Sequence, residues 1–337
     1  MKAVGFREPG PIDRDDALVD VTLDRPAPSG RDLLVEVKAV SVNPVDAKVR
    51  GGIAPIDVPV RVLGYDAAGT VAAVGDGVEG YQVGDDVFYA GSVIRQGTNA
   101  EFHLVDERIV GRKPKSLSMA EAAALPLTAI TAWEMLFDRL DVRRAVPGAA
   151  NAVLVVGAAG GVGSIAIQIL RAMTGLTVIA TASRPETKAW ATELGAHYVI
   201  DHANPIDAEV AALGIGAPAF VFSTNQTGKH AEAIAKLIAP QGRFGMIDRS
   251  GDIPLAAFMP KSVSIHWEYM FTRSMFQTAD MAAQRALLDE VSGLVDSGRI
   301  RTTMTESLGP ITAANLKAAH ATLESGTARG KIVLEGF

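Results

Sequence analysis

Ala152-Val153-Leu154-Val155-Val156-Gly157-Ala158-Ala159-Gly160-Gly161-Val162-Gly163-Ser164 is the stretch on which the fold turns. The apolar run at 152–156, bounded by glycine, is the pattern of a strand buried on both faces. A helix over 164–173 follows it. Between them, the turn supplies a residue without side-chain bulk where backbone meets a diphosphate, and another where helix and strand pack closely. It also leaves free helix N–H groups aimed at phosphate. Gly160 and Gly163 fill the second and third glycine positions of such a turn, and Ala158 stands at the first. An ordinary glycine-rich loop is the alternative. The strand before, the helix after and a second strand at the right distance favour a dinucleotide-binding turn.

The same region invites a membrane reading, because residues 145–170 carry no charge and Gly157 and Gly161 have the spacing of a membrane-helix dimer motif. Pro147, Gly148 and the glycines of the turn break that stretch into two short halves.

Moving outward, strands and helices alternate. A second strand is expected over 177–182 and a helix over 186–194, closed by Gly195. Further strands are expected at 198–200, 219–223, 244–247 and 263–267, with a helix over 229–238. Repeating βα units imply a parallel sheet covered on both faces. The first 126 residues have a different texture. Residues 33–42 alternate as a half-buried strand does, and strand candidates follow at 69–74, 86–90 and 101–105 between Gly, Asp and Asn turns. Residues 118–136 have helical spacing interrupted by Pro126, and after 275 a helix over 279–295 and a terminal strand over 331–334 remain.

With 337 residues, 48% hydrophobic and 21% charged, the chain suits two globular domains rather than a disordered polymer. Its formal net charge of -6 offers no general attraction for a nucleic-acid backbone. Cysteine is absent, so disulfides, thiolate nucleophiles and cysteine-held zinc are excluded. The first ten residues include Arg7 and Glu8 and lack the apolar core of a signal peptide, so a soluble, cytoplasmic protein is expected.

The end of the second strand selects the coenzyme. A site for NAD usually carries Asp or Glu there to bind the ribose hydroxyls. This chain has Ala182-Ser183-Arg184, with Lys188 one helical turn beyond. A hydroxyl, a guanidinium and an ammonium suit the 2′-phosphate of NADP, which a carboxylate would repel. The alternative is that Arg184 and Lys188 merely solubilise a helix start.

Several further segments carry a family resemblance. They are Asn43-Pro44-Val45-Asp46, and Gly64-Tyr65-Asp66-Ala67-Ala68-Gly69 with Val74-Gly75 and Val83-Gly84-Asp85. Leu125-Pro126-Leu127-Thr128-Ala129, the glycine turn, Leu194-Gly195-Ala196 and Gly330-Lys331-Ile332-Val333 complete the set. Along nearly its whole length the chain resembles the zinc-independent quinone oxidoreductases (zeta-crystallin-like) of the medium-chain dehydrogenase/reductase superfamily. Trp267-Glu268-Tyr269-Met270-Phe271-Thr272-Arg273 resembles the branch often labelled zinc-type alcohol dehydrogenase-like.

The resemblance implies an α/β fold: a GroES-like β-rich catalytic domain plus a doubly wound parallel-sheet (Rossmann) coenzyme domain. The first would take residues 1–126 and 275–337, the second 127–274. It also implies a homodimer or homotetramer, often joined at the last Rossmann strand, and NADPH held in an interdomain cleft. Coenzyme-contact positions match Thr128, Gly157, Ala159, Gly160, Gly161, Val162, Gly163, Ser183, Arg184, Lys188 and Tyr198, and also Ser223, Asn225, Ile247, Phe271 and Lys331. Zinc-dependent relatives place Cys at the position of Asn43 and His at that of Tyr65, so no metal site is expected. Some members carry pocket tyrosines where this chain has Lys48 and Ala54.

Without metal, hydride transfer rests on holding donor and acceptor carbons about 3–3.5 Å apart in a dry site. A quinone or activated enone suits this, because an unactivated ketone would need a Lewis acid or proton donor. The Tyr-x-x-x-Lys arrangement that supplies a proton in short-chain reductases is absent.

Asn43 offers an amide to a substrate oxygen or the coenzyme ribose, or is simply the start of an Asn-Pro turn. Asp46 is placed to anchor Arg50, and Tyr65 is a candidate donor or a packed ring. An alkenal or acyl-thioester double-bond reductase is an alternative, with Lys48, Arg50 and Arg61 as a basic groove. A non-catalytic NADPH-binding sensor or RNA-binding protein is another.

Overall fold

The computed structural model describes residues 1–53, 58–249 and 251–337. The chain folds into two compact units, Met1–Ile130 with Phe271–Phe337, and Thr131–Met270.

The second unit contains a six-stranded sheet in the spatial order Tyr198–Ile200, Thr177–Thr181, Ala150–Val156, Pro218–Ser223, Arg243–Met246, Ser264–Trp267. Every neighbouring pair is parallel. Counted in chain order the strands run 3-2-1-4-5-6, so the order reverses beside Ala150–Val156, the strand that feeds the glycine turn. In open α/β sheets ligands bind outside the carboxyl ends of the strands at such a reversal.

Strand Pro218–Ser223 is buried at all six positions, as helices on both faces require. Leu154, Ile179, Val221, Ile234, Phe244 and Phe258 share one core on this sheet. Gly161–Met173 begins three residues before the expected helix start, because Gly160 has extended geometry and caps it. Ile206–Ala212 is a helix that the sequence pattern does not announce.

In the first unit the ten-residue strand Asp32–Ser41 is the hub of a seven-stranded sheet. It pairs antiparallel with Ala67–Val74, Phe102–Asp106 and Lys331–Glu335. The Val333↔Ser41 register brings the C-terminal strand onto the N-terminal part of the chain, which is why this unit is discontinuous. Helix Ala283–Asp296 packs Leu288 against Gly111 of strand Val110–Arg112, where a Cβ on the glycine would approach Leu288 Cβ to 2.5 Å.

Two terminal elements are additions to the expected set. Strand Met304–Ser307 joins the sheet beside Lys331–Glu335, and helix Ala313–Glu324 precedes the last strand. The expected helix over 118–136 is three pieces, Met119–Ala123, Pro126–Trp133 and a π-helical Glu134–Arg139. Pro126 cannot donate the next helical hydrogen bond, so the chain restarts there.

Candidate functional site

The glycine turn has the geometry that a dinucleotide requires. Gly157 sits at φ +77, where a Cβ would also meet Thr224 Oγ1 at 2.5 Å. A Cβ on Gly163 would lie 2.5 Å from Ala158 Cα and 2.6 Å from Gly157 O, so only glycine lets helix and strand approach this closely. Gly160 differs. A Cβ there would find its nearest atom, Gly157 O, at an ordinary 3.6 Å, so no protein atom demands glycine. An open space beside a glycine in extended backbone, at a helix N-terminus, fits the approach of a diphosphate. Ala159, Gly161 and Val162 complete the loop around that space, and the Gly157 N–H donates to Thr181 Oγ1 at 3.1 Å.

The neighbouring strand ends carry the residues expected at the coenzyme ribose. Ser183 and Arg184 are half-buried, and Arg184 caps helix Pro185–Glu193 while its Nε lies 3.0 Å from Glu186 Oε1. Lys188 Nζ lies 2.8 Å from Asp201 Oδ2. Tyr198 opens the neighbouring strand with 38% of its surface exposed. On the far side of the reversal, Ser223 shares a hydrogen bond of 2.8 Å with Thr227, whose hydroxyl also donates to Asp248. Asn225 is exposed and its Oδ1 accepts the Gln226 N–H at 2.9 Å, and Ile247 is half-buried.

In the first unit Asp66, to which sequence reasoning gives no role, ties two of the predicted residues, Asn43 and Lys331, and Asp46 holds the backbone of Asn43. The Asn43 amide donates to Asp66 Oδ2 at 2.8 Å and to Ser41 O at 3.3 Å. Lys331 donates to Asn43 Oδ1, to Val42 O at 2.8 Å and to Asp66 Oδ2 at 3.0 Å. Asp66 Oδ1 accepts the Leu127 N–H at 2.7 Å. Burial pushes the Asp66 carboxyl upward, opposed chiefly by the Lys331 charge.

This knot shows what each side chain binds within the protein, and it corrects one expectation, the pairing of Asp46 with Arg50. Both hydrogens of the Asn43 amide are engaged within the protein. The three ammonium hydrogens of Lys331 are likewise taken up within the protein, with the residue 3% exposed. Asp46 does not pair with Arg50. Its oxygens accept the N–H groups of Asn43 at 2.8 Å and Gly64 at 2.9 Å, closing a capping box on helix Pro44–Arg50, and Arg50 pairs instead with Glu324. With Arg50 1% exposed, the basic groove expected for an acyl thioester loses its central cation.

Tyr65 is wholly buried and meets Phe271 edge to face, with ring centroids 5.3 Å apart. Thr128 is 3% exposed and its hydroxyl donates to Leu125 O at 3.0 Å. Lys48 is exposed, and Ala54 lies outside the described residues.

A buried acid pair has no signature in the sequence. Glu268 follows edge strand Ser264–Trp267, receives Arg139 Nε at 2.8 Å and adjoins Glu134 on the π-helical turn. Burial, reinforced by the Glu134 carboxyl, pushes Glu268 up to about 8 against the pull of Arg139.

Comparison with known proteins agrees with this architecture. The alcohol dehydrogenase GroES-like domain family matches residues 29–129, and the zinc-binding dehydrogenase family matches residues 194–334. A putative zinc-dependent alcohol dehydrogenase from Rhizobium etli is 67% identical, covers 100% of this chain and 98% of its own, and superposes with a TM-score of 0.99. A zinc-type alcohol dehydrogenase-like protein of Staphylococcus epidermidis is 36% identical over 99% of both chains. The quinone oxidoreductase of Pseudomonas syringae is 27% identical over 99% of both chains, with a TM-score of 0.83.

Fold, glycine turn and relatives together define an oxidoreductase with a nicotinamide coenzyme, and the chain belongs to the zinc-independent, quinone oxidoreductase-like branch of the medium-chain dehydrogenase/reductase superfamily. The zinc in the relatives' names does not fit the donor set present here. Position 43 carries an amide locked between an ammonium and a carboxylate, position 65 a buried phenol, and no thiolate exists. Among the described residues no three His, Asp or Glu side chains converge in a way that would hold a metal ion.

Proposed function

We propose that the protein is a metal-independent, NADPH-dependent reductase that delivers hydride to a quinone or an activated enone. The observation that carries this reading is the ribose corner, where Ser183, Arg184 and Lys188 replace the acid of an NAD site beside a turn shaped for a diphosphate. NADPH, when bound, supplies the hydride. The chain's residues position it. Gly160 leaves room for the diphosphate, the N-terminus of helix Gly161–Met173 faces its charge, and Arg184 and Lys188 offer N–H donors to the 2′-phosphate.

In the first unit, the Asn43-Asp66-Lys331 knot fixes the backbone at Val42–Asn43 and Leu127. Tyr65 and Phe271 pack edge to face as a buried aromatic pair in that unit. The knot's hydrogens are engaged internally, so it offers a substrate oxygen no free strong acid. That arrangement favours acceptors whose reduced form is already delocalised, as quinones and enones are.

The protein is proposed to act as a soluble cytoplasmic homodimer or homotetramer without nucleic-acid partners. Among the described residues no helix is long and apolar enough to cross a membrane.

The test is NADPH oxidation with benzoquinone, phenanthrenequinone and an alkenal in EDTA, with NADH in parallel. Turnover of a quinone, faster with NADPH and indifferent to EDTA, is the expected result. Oxidation confined to the alkenal would transfer the assignment to a double-bond reductase. Tight NADPH binding without turnover of any acceptor would sink the reductase reading in favour of a sensor.

A further inference from the structure

In the corner that would receive the 2′-phosphate, both candidate phosphate ligands, Arg184 and Lys188, are paired with carboxylates. Strands Thr177–Thr181 and Tyr198–Ile200 run parallel with Thr181 opposite Ile200, and the Ala182 N–H donates to Ile200 O at 3.0 Å. The pairing carries Ser183-Arg184 and Asp201-His202 out of the sheet side by side. Lys188, one turn into the following helix, reaches across to Asp201 at 2.8 Å.

Asp201 does not swing freely. Its Oδ1 accepts the Ala203 N–H at 2.9 Å, and Lys188 with that N–H holds its carboxyl below the usual range. The next residue is tied in as well: His202 Nδ1 lies 3.3 Å from Thr181 Oγ1, the same hydroxyl that accepts the Gly157 N–H of the glycine turn. Arg184 has its own counter-charge in Glu186. Arg184 and Lys188 are thus each paired with a carboxylate at the place where a dianion is to be recognised, and Lys229 adds a further positive charge near His202.

We propose that Asp201 is a specificity-determining residue of the coenzyme site, which restrains Lys188 and so tempers the preference for a 2′-phosphorylated coenzyme over one with a bare ribose. The inference rests on the coenzyme reading above. A 2′-phosphate must compete with Asp201 for the same ammonium and approach a fixed like charge, whereas a ribose hydroxyl pays neither cost. An exposed ion pair of this kind is worth up to a factor of about five in affinity.

Isothermal titration of the full-length protein with 2′,5′-ADP and with 5′-AMP isolates the phosphate and needs no turnover. Asp201→Asn keeps an acceptor for the Ala203 N–H while removing the charge. It is expected to tighten 2′,5′-ADP about fivefold and leave 5′-AMP unchanged, and adding Lys188→Gln is expected to erase the gain. An unchanged or weaker affinity for 2′,5′-ADP in Asp201→Asn overturns the proposal. So does weaker 5′-AMP binding, which would make Asp201 a direct ribose ligand.

The two readings fail separately. Equal affinity of the wild-type protein for both probes defeats the NADPH preference. Even then a preference appearing in Asp201→Asn upholds the role of Asp201, and its absence rejects it. Should Asp201→Asn fold poorly, Asp201→Ser, which also keeps an acceptor near the Ala203 N–H while removing the charge, takes its place with the same expected and overturning outcomes.

Discussion

Asp46 is 1% exposed, and its two oxygens accept only backbone N–H groups, from Asn43 and Gly64. Burial pushes this carboxyl up to about 7, with the Asp66 charge adding to the effect and Lys331 opposing it. An unfolded aspartate loses its proton near pH ~4, so between ~4 and about 7 the folded state binds a proton that the unfolded state has released. The contribution to stability is fully present below pH ~4 and lost as pH rises to about 7. Asp46→Asn is expected to lower Tm, because one amide hydrogen must face a backbone N–H at a cost of about 1–3 kcal/mol, and to flatten Tm against pH across that window. An unaltered slope would mean that Asp46 is ionised throughout.

Gly160 supports the opposite kind of prediction, one that spares stability. Its φ of -72 is open to any residue and its Cβ direction is clear to 3.6 Å. Gly160→Ala should therefore shift Tm by no more than a degree or two while weakening NADPH binding about tenfold, or ~1.4 kcal/mol. Coenzyme fluorescence titration measures the affinity, and an unchanged Kd would place the diphosphate elsewhere.

Among the elements, the edge of the parallel sheet carries the clearest consequence. Ser264–Trp267 is held on one side by Arg243–Met246, and the chain leaves it through Glu268, which is 3% exposed between Glu134 and Arg139. With Glu268 raised to about 8, stability conferred by its bound proton is fully present below pH ~4.5 and is lost as pH climbs toward 8. Glu268→Gln retains a neutral partner for Arg139 and should flatten the alkaline part of that decline, followed by thermal unfolding between pH 6 and ~9. A steeper decline would show that the ionised form is the stabilising one.

The sequence announces some of these elements and conceals others for physical reasons. The strand Ala150–Val156, the turn and the helix Gly161–Met173 are legible because apolar runs, missing side chains and a helix start coincide within a few residues. Met304–Ser307 is not, because it is half-exposed, mixes Met, Thr, Glu and Ser, and becomes a strand only by joining Lys331–Glu335. The π-helical Glu134–Arg139 likewise follows from its surroundings rather than its composition.

In the candidate site the positions 43, 46, 65 and 331 stand out in the sequence by motif, but the partners they bind are not legible there. Asp66 and Glu324 are brought to Asn43 and Arg50 from 23 and 274 residues away, and no local pattern encodes such distances.

For the whole molecule, the open side of Ser264–Trp267 is the surface to test. Strand edges that present unpaired N–H and C=O groups are usually shielded by charge, by proline or by another strand. This strand has neither charge nor proline, and Trp267 is 53% exposed at its end with Tyr269 48% exposed just beyond. A second copy meeting it about a twofold axis would continue the sheet across the pair and remove both rings from water.

Trp267→Lys places a charge on that contact without touching the sheet core, since the residue is already half in solvent. Light scattering after gel filtration is expected to show a dimer or tetramer for the wild-type protein and a smaller species for the variant. The affinity for 2′,5′-ADP should be the same in both, because the proposed ribose corner lies at the opposite edge of the six-stranded sheet, around Thr177–Thr181 and Tyr198–Ile200. A wild-type monomer would remove the need for a partner on this edge. An assembly that survives the lysine would put the contact on another face, and the exposed rings would then need a different explanation.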